Sequence, residues 1–174
     1  MKGSGYLMLQ ESTQLNQVSL PHSVVPSHNI PVANSFTWSS FSDAAWDSST
    51  GNCGLGWQLR DATKTVAESS SSHRRFVPSA LVAEALAVKA AMIAALSSHV
   101  SSLHVYSDSK ALITLLKSQD DDVVLKGVLH DIRILALSFE SILYCFIPRL
   151  ANCDADSLAK SALFSLHSTV PATE

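Results

Sequence analysis

Leu103-His104-Val105-Tyr106-Ser107-Asp108-Ser109-Lys110-Ala111-Leu112 changes its period midway. Leu103, Val105 and Ser107 alternate with His104, Tyr106 and Asp108, which is the pattern of a half-buried strand. From Leu112 the apolar positions become Leu112, Ile113, Leu115 and Leu116, which fits a short helix better. Ser107, Asp108 and Ser109 therefore stand where a strand ends and a helix begins. In open α/β folds, ligands bind in the crevice at such strand ends. A carboxylate there suits chemistry, and it equally suits a helix N-cap. The choice turns on whether other carboxylates meet Asp108.

Outward from this stretch, the chain alternates strands and helices. Upstream, Phe36–Trp46 is aromatic-rich and partly alternating, a strand signal. Asp47–Asn52 is turn chemistry, Cys53–Arg60 reads as a second strand, Asp61–Thr63 as a turn, and Lys64 to about Ser71 as a third strand. Three strands joined by short turns make an antiparallel meander. Pro78-Ser79 opens a helix over Ala80–Leu96, in which Leu81, Ala85, Val88, Met92 and Ala95 recur at helical spacing. Downstream, Asp120-Asp121-Asp122 is a solvated loop or a helix start. Val124, Val128, Ile132, Leu135 and Ala136 predict a helix, and the apolar run Ser141–Ile147 predicts a central strand. Asn152 is placed to cap a last helix carrying Ala155, Leu158, Ala159, Ala162 and Leu166. The order β-β-β-α-β-α-α-β-α implies an α/β fold, a mixed five-stranded sheet with its first three strands antiparallel and helices on both faces.

Length and composition agree with one domain. The chain has 174 residues, 47% hydrophobic and 16% charged, enough for one substantial core. The expected division is a disordered lead-in or linker over 1–35, the domain over 36–168 and a tail over 169–174. The first segment has no uninterrupted signal-peptide core and no arginine, so no secretory or transit signal is expected. No apolar run is expected to span a membrane. Cys53, Cys145 and Cys153 have no C-x-x-C spacing and read as reduced thiols of an intracellular protein. A formal net charge of −3 argues against a basic nucleic-acid patch, unless several carboxylates serve a cation that inverts the local charge.

Four carboxylates stand against the pattern around them. Asp43 interrupts an aromatic and small-residue strand, and Glu84 shares a helix face with Leu81 and Val88. Asp108 ends the fourth strand, and Asp156 sits among Ala155, Leu158 and Ala159. Singly, each has an ordinary structural explanation: a turn, a half-exposed helix position, a cap, or a favourable helix dipole. Together, acids on two strand ends and two helices are what a two-metal site needs, because hard divalent cations take oxygen ligands. Asp47 and Asp154 lie nearby, but turn and helix-start roles suit them better.

These residues carry a resemblance. F-S-D-A-A-W-D, G-L-G-W-Q-L-R-D, A-E-A-L-A-V-K-A-A, V-Y-S-D-S-K-A-L and I-P-R-L-A-N-C-D-A-D-S-L-A-K occur in order from Phe36 to Leu166. They resemble type 1 ribonuclease H, in particular the plant branch found beside or derived from retrotransposon reverse transcriptases. The resemblance implies that Asp43, Glu84, Asp108 and Asp156 are catalytic metal ligands for two Mg²⁺ ions, with Mn²⁺ as a substitute. It implies endonucleolytic hydrolysis of RNA in an RNA–DNA hybrid by a monomer. Asp43 would bridge the ions, Asp108 and Asp156 would hold the nucleophile's metal, and Glu84 the leaving group's. The substrate's 2′-hydroxyls would be read across a shallow minor groove. Gly54 and Gly56 would let the backbone approach nucleic acid, or mark a strand bulge.

The chain also departs from the family. Pro148-Arg149-Leu150-Ala151-Asn152 has no histidine where bacterial and animal enzymes carry one thought to help product release, and the basic protrusion that grips hybrid in some members is missing. Asp43 is followed by Ala44-Ala45 where many members have glycine. The competing expectation is a domesticated module that binds nucleic acid or a protein with little or no cleavage. Setting the four acids aside leaves a formal charge of +1, so the remaining surface is not hostile to phosphate.

Overall fold

Aromatic and small residues along β1 (Trp38–Trp46) make a strand that can be covered on both sides. In the structure, a computed structural model that describes residues 36–118 and 122–168, β1 lies at the centre of the sheet. The other strands are β2 (Cys53–Arg60), β3 (Val66–Arg74), β4 (Ser102–Ser107) and β5 (Ser141–Phe146). The helices are α1 (Ala80–Ser97), α2 (Lys110–Lys117), α3 (Lys126–Ala136) and α4 (Cys153–Ser168), with a 3₁₀ turn at Arg149–Ala151 before α4. The expected lead-in over 1–35, the expected tail over 169–174, and Asp120 and Asp121 lie outside the described residues.

The sheet order is β3-β2-β1-β4-β5. β1 pairs antiparallel with β2, and β2 with β3, while β1–β4 and β4–β5 are parallel. This is the mixed sheet expected from the sequence. The β1–β2 hairpin is held by Asp47, whose carboxylate accepts hydrogen bonds from the Ser49 amide and from the Ser49 and Thr50 hydroxyls. Gly51 occupies the left-handed region in that turn, with φ of 70°.

Alternation along β2 explains the two layers. Leu55, Trp57 and Leu59 enter the main core with Val88 and Met92 of α1 and Leu103 and Val105 of β4. The intervening Gly54 and Gly56 turn to the opposite face, where α4 packs. Ser79 caps α1 by accepting a hydrogen bond from the Val82 amide at 3.2 Å. Ala83, Ala87 and Ala91 are fully buried, and their small side chains bring the helix close to the sheet. With a mean hydropathy of 1.8 over 18 residues, α1 is long and apolar enough to cross a membrane, contrary to the sequence expectation. In this fold that apolarity is used for packing on β1, β2 and α3.

Three other local expectations change. β3 runs on to Arg74 because Ser69–Ser72 pair with β2, although serines give no hydrophobic period. β5 is an edge strand and not a central one; Leu143 and Phe146 are both about half exposed. Its apolar run mimicked burial on two faces that the sheet order does not provide. The glycines neither face a ligand nor form a bulge, since the β2 register is regular there and shifts only at Leu59/Arg60. A Cβ on Gly54 would stand 1.9 Å from the Ala159 carbonyl oxygen, and one on Gly56 would stand 2.4 Å from that of Ala155. Glycine is required at both positions because the α4 backbone lies directly on them.

Candidate metal centre

The strand-to-helix junction after β4 shows which residue caps the following helix. Ser109, not Asp108, caps α2, its hydroxyl accepting from the Leu112 amide at 3.4 Å. The Asp108 carboxylate is thereby left to face β1 and α1. It meets Asp43 and Glu84 there: one carboxylate oxygen from each of the three lies within 4.8 Å of the others. β4 pairs with β1 only as far as Phe41↔Tyr106, so Asp43 projects just beyond the paired region. Glu84 arrives from the second turn of α1.

The electrostatics of this trio are unfavourable as long as all three acids are ionised. Asp43 is 3% exposed, and burial, followed by the Asp108 charge, pushes its pKa up to about 6, although the Ala44 amide at 2.8 Å opposes the shift. Glu84 is pushed up to about 9 by burial, then by the charges of Asp43 and Asp108, and further by its hydrogen bond to Asp43 when it holds the proton. When the acids are ionised, Asp43 Oδ2 and Glu84 Oε2 are buried with no donor among the described residues. Buried carboxylate oxygens without donors are costly, and a divalent cation among them would remove both the repulsion and the orphaned acceptors. The donor set is all oxygen, which suits a hard ion. A cleft of about 300 Å³ lined by Ala80, Leu81, Glu84, Asp108, Ser109 and Arg149 opens beside them.

Asp156 is placed differently. It lies in the first turn of α4, close enough for its charge to raise the Asp43 pKa, but outside the three-acid group. Arg149 holds its Oδ1 at 3.1 Å and Lys160 its Oδ2 at 2.6 Å. Partial burial alone would raise the Asp156 pKa, yet these two cations hold it below the ordinary carboxylate value. Asp47 stays in its turn, and Asp154 pairs with Arg60 at 3.3 Å, so neither joins the cluster.

Asn152 corrects a further expectation. Its side chain does not cap α4 but turns inward, 1% exposed. Nδ2 donates to the Ser42 carbonyl oxygen at 2.9 Å and to Asp108 Oδ1 at 3.3 Å. Sequence reasoning also missed Arg149 and Lys160 as counter-ions. The i,i+4 spacing of Asp156 and Lys160 was the available sign for the latter.

Comparison with known proteins bears on the family and the fold. The family model described as "Reverse transcriptase-like" matches residues 41–162. The chain belongs to this family. The ribonuclease H resemblance read from the sequence is thus borne out, as is the fold it implied. No curated protein matches the chain by sequence. Among solved structures, ribonuclease H1 from the halophilic archaeon Halobacterium salinarum superimposes with a TM-score of 0.70 at 23% identity, covering 74% of this chain and 98% of that one. The N-terminal ribonuclease H domain of a Mycobacterium tuberculosis protein gives 0.70 at 23%, covering 77% and 98%. A compost-derived ribonuclease H1, solved with an RNA/DNA hybrid, gives 0.68 at 19%, covering 75% and 99%. At these identities the likeness establishes that this reverse transcriptase-like chain has the ribonuclease H fold, and the site must argue for its own chemistry.

Proposed function

We propose that this protein is a divalent-metal-dependent endonuclease that hydrolyses the RNA strand of RNA–DNA hybrids and acts as a monomer. The observation that carries the reading is the convergence of Asp43, Glu84 and Asp108 from three separate segments, with buried oxygens left unpartnered. Asp43, Glu84 and Asp108 would hold the metal, with Asp156 as the fourth ligand and Mg²⁺ as the resident ion. When bound, a pair of such ions supplies an activated water and stabilises the leaving oxygen of an in-line displacement. The residues themselves anchor and orient. Asp43, fixed by the Ala44 amide, presents one oxygen to the cluster, and Asp108, freed by Ser109, presents another. The N-terminal ends of α1 and α2 border the cleft, and their positive ends favour a phosphate backbone there. The hybrid bound by the compost-derived ribonuclease H1 supports the choice of substrate.

A second reading has its own observation. Asp156 is already neutralised by Arg149 and Lys160, and the 3₁₀ turn before α4 carries no histidine. A binding module that keeps the acids but cuts little would look the same. The test is cleavage of labelled hybrid with Mg²⁺, beside single-stranded RNA and duplex DNA. Hybrid-selective cutting is expected; bound but uncut hybrid would favour the module.

A further inference from the structure

Asn152 joins three parts of the acidic site through one residue. Its amide group donates to the carbonyl of Ser42, the residue immediately before Asp43, and to Asp108 itself. Its backbone carbonyl accepts the Asp156 amide at 3.0 Å, one helical turn away. The orientation of the amide is determined by its neighbours: both facing groups are acceptors, so only the NH₂ end fits against them. Its Oδ1 is buried without a donor among the described residues, which is an unfavourable arrangement for a side chain that only fills space. A leucine would fill the same volume without orphaning an acceptor. What leucine lacks is two donors, and both are spent on the segments that carry Asp43 and Asp108.

We propose that Asn152 is a positioning residue for the metal centre. It fixes the rotamer of Asp108 and ties the first turn of α4 to β1, so that carboxylates from β1, β4 and α4 keep one mutual spacing. This inference rests on the metal-site reading above. Groups that orient metal ligands typically contribute 10–100-fold to metal affinity. The replacement Asn152→Asp keeps the size but removes both donors and sets an acceptor against Asp108. Asn152→Ser keeps a single, shorter donor and is the milder variant should the aspartate fail to fold.

The experiment is calorimetric titration of the intact protein with Mn²⁺ and with Mg²⁺, beside thermal melting without metal and hybrid cleavage as a function of metal concentration. Mn²⁺ binding should weaken roughly 10–100-fold in Asn152→Asp and less in Asn152→Ser. The metal concentration for half-maximal cleavage should rise in step, while KM for hybrid at saturating metal stays near the wild-type value. A lower melting temperature with unchanged metal affinity in a folded variant would assign Asn152 a purely structural role and overturn the inference alone. Wild-type protein that binds neither ion would overturn the metal-site reading and this inference together.

Discussion

The two halves of the acidic site differ in how their charge is met. Asp43, Glu84 and Asp108 crowd one another, with pKa values pushed up for the first two and buried oxygens unpartnered. Asp156 is held between two cations, its pKa pulled down. The trio thus stores repulsion that a divalent ion can relieve. Asp156 must exchange existing ion pairs to join it. Arg149 is 72% exposed and Lys160 61%, so these pairs contribute little and can be exchanged readily.

The harshest way to break this contrast is Asp108→Asn. Hybrid cleavage should fall by more than about 100-fold, beyond what loss of a supporting residue causes, with the circular dichroism spectrum unchanged. Undiminished activity would remove Asp108 from the site. Next in size is Gly54→Ala, which forces a methyl group onto the α4 backbone and should destabilise by about 3 kcal/mol in denaturant unfolding. Gly56→Ala should do the same and also disturb Asp156, because it contacts the turn that carries that residue.

Sharper still is an opposition of sign. Glu84→Gln should stabilise the metal-free protein above neutral pH, by about 1–3 kcal/mol, because the wild-type carboxyl must take up a proton on folding up to about pH 9 and bury a charge beyond it. Asp156→Asn should destabilise it by less than about 1 kcal/mol. Equal signs in urea titrations would show that the two halves are electrostatically alike. The pH dependence follows the same division. Acids with raised pKa values contribute stability that is fully present below their unfolded values of 3.8 and 4.5 and is lost as pH rises through about 6 for Asp43 and about 9 for Glu84. The metal-free melting temperature should therefore decline from about pH 4 to pH 9, and saturating Mg²⁺ should flatten that decline. For Asp156 the dependence is reversed: its contribution is present above 3.8 and lost as pH falls through its lowered value.

The acids were legible because each violates a local pattern: a carboxylate in an aromatic strand, on an apolar helix stripe, or at a strand end. The mixed sheet and its antiparallel first three strands followed from short turns and alternating periods. What stayed hidden depended on contacts far apart in sequence. Gly54 and Gly56 invite a ligand-side or bulge reading until a helix about 100 residues later lies on them. Asn152 has the residue type and position of a cap, and its inward turn is decided by where β1 and β4 end. The apolar run of β5 reports hydrophobicity but not which neighbours the strand has, so an edge looked like a centre.

The parallel pairing of β1 with β4 has a kinetic consequence. β1 is bonded on both sides, to β2 and to β4, and β4 on both sides, to β1 and to β5. Amides of these inner strands exchange with solvent only through openings that disrupt the sheet. Asp43 lies in one of these inner strands and Asp108 directly follows the other, so the floor of the site is expected to stay folded while more loosely bonded segments open.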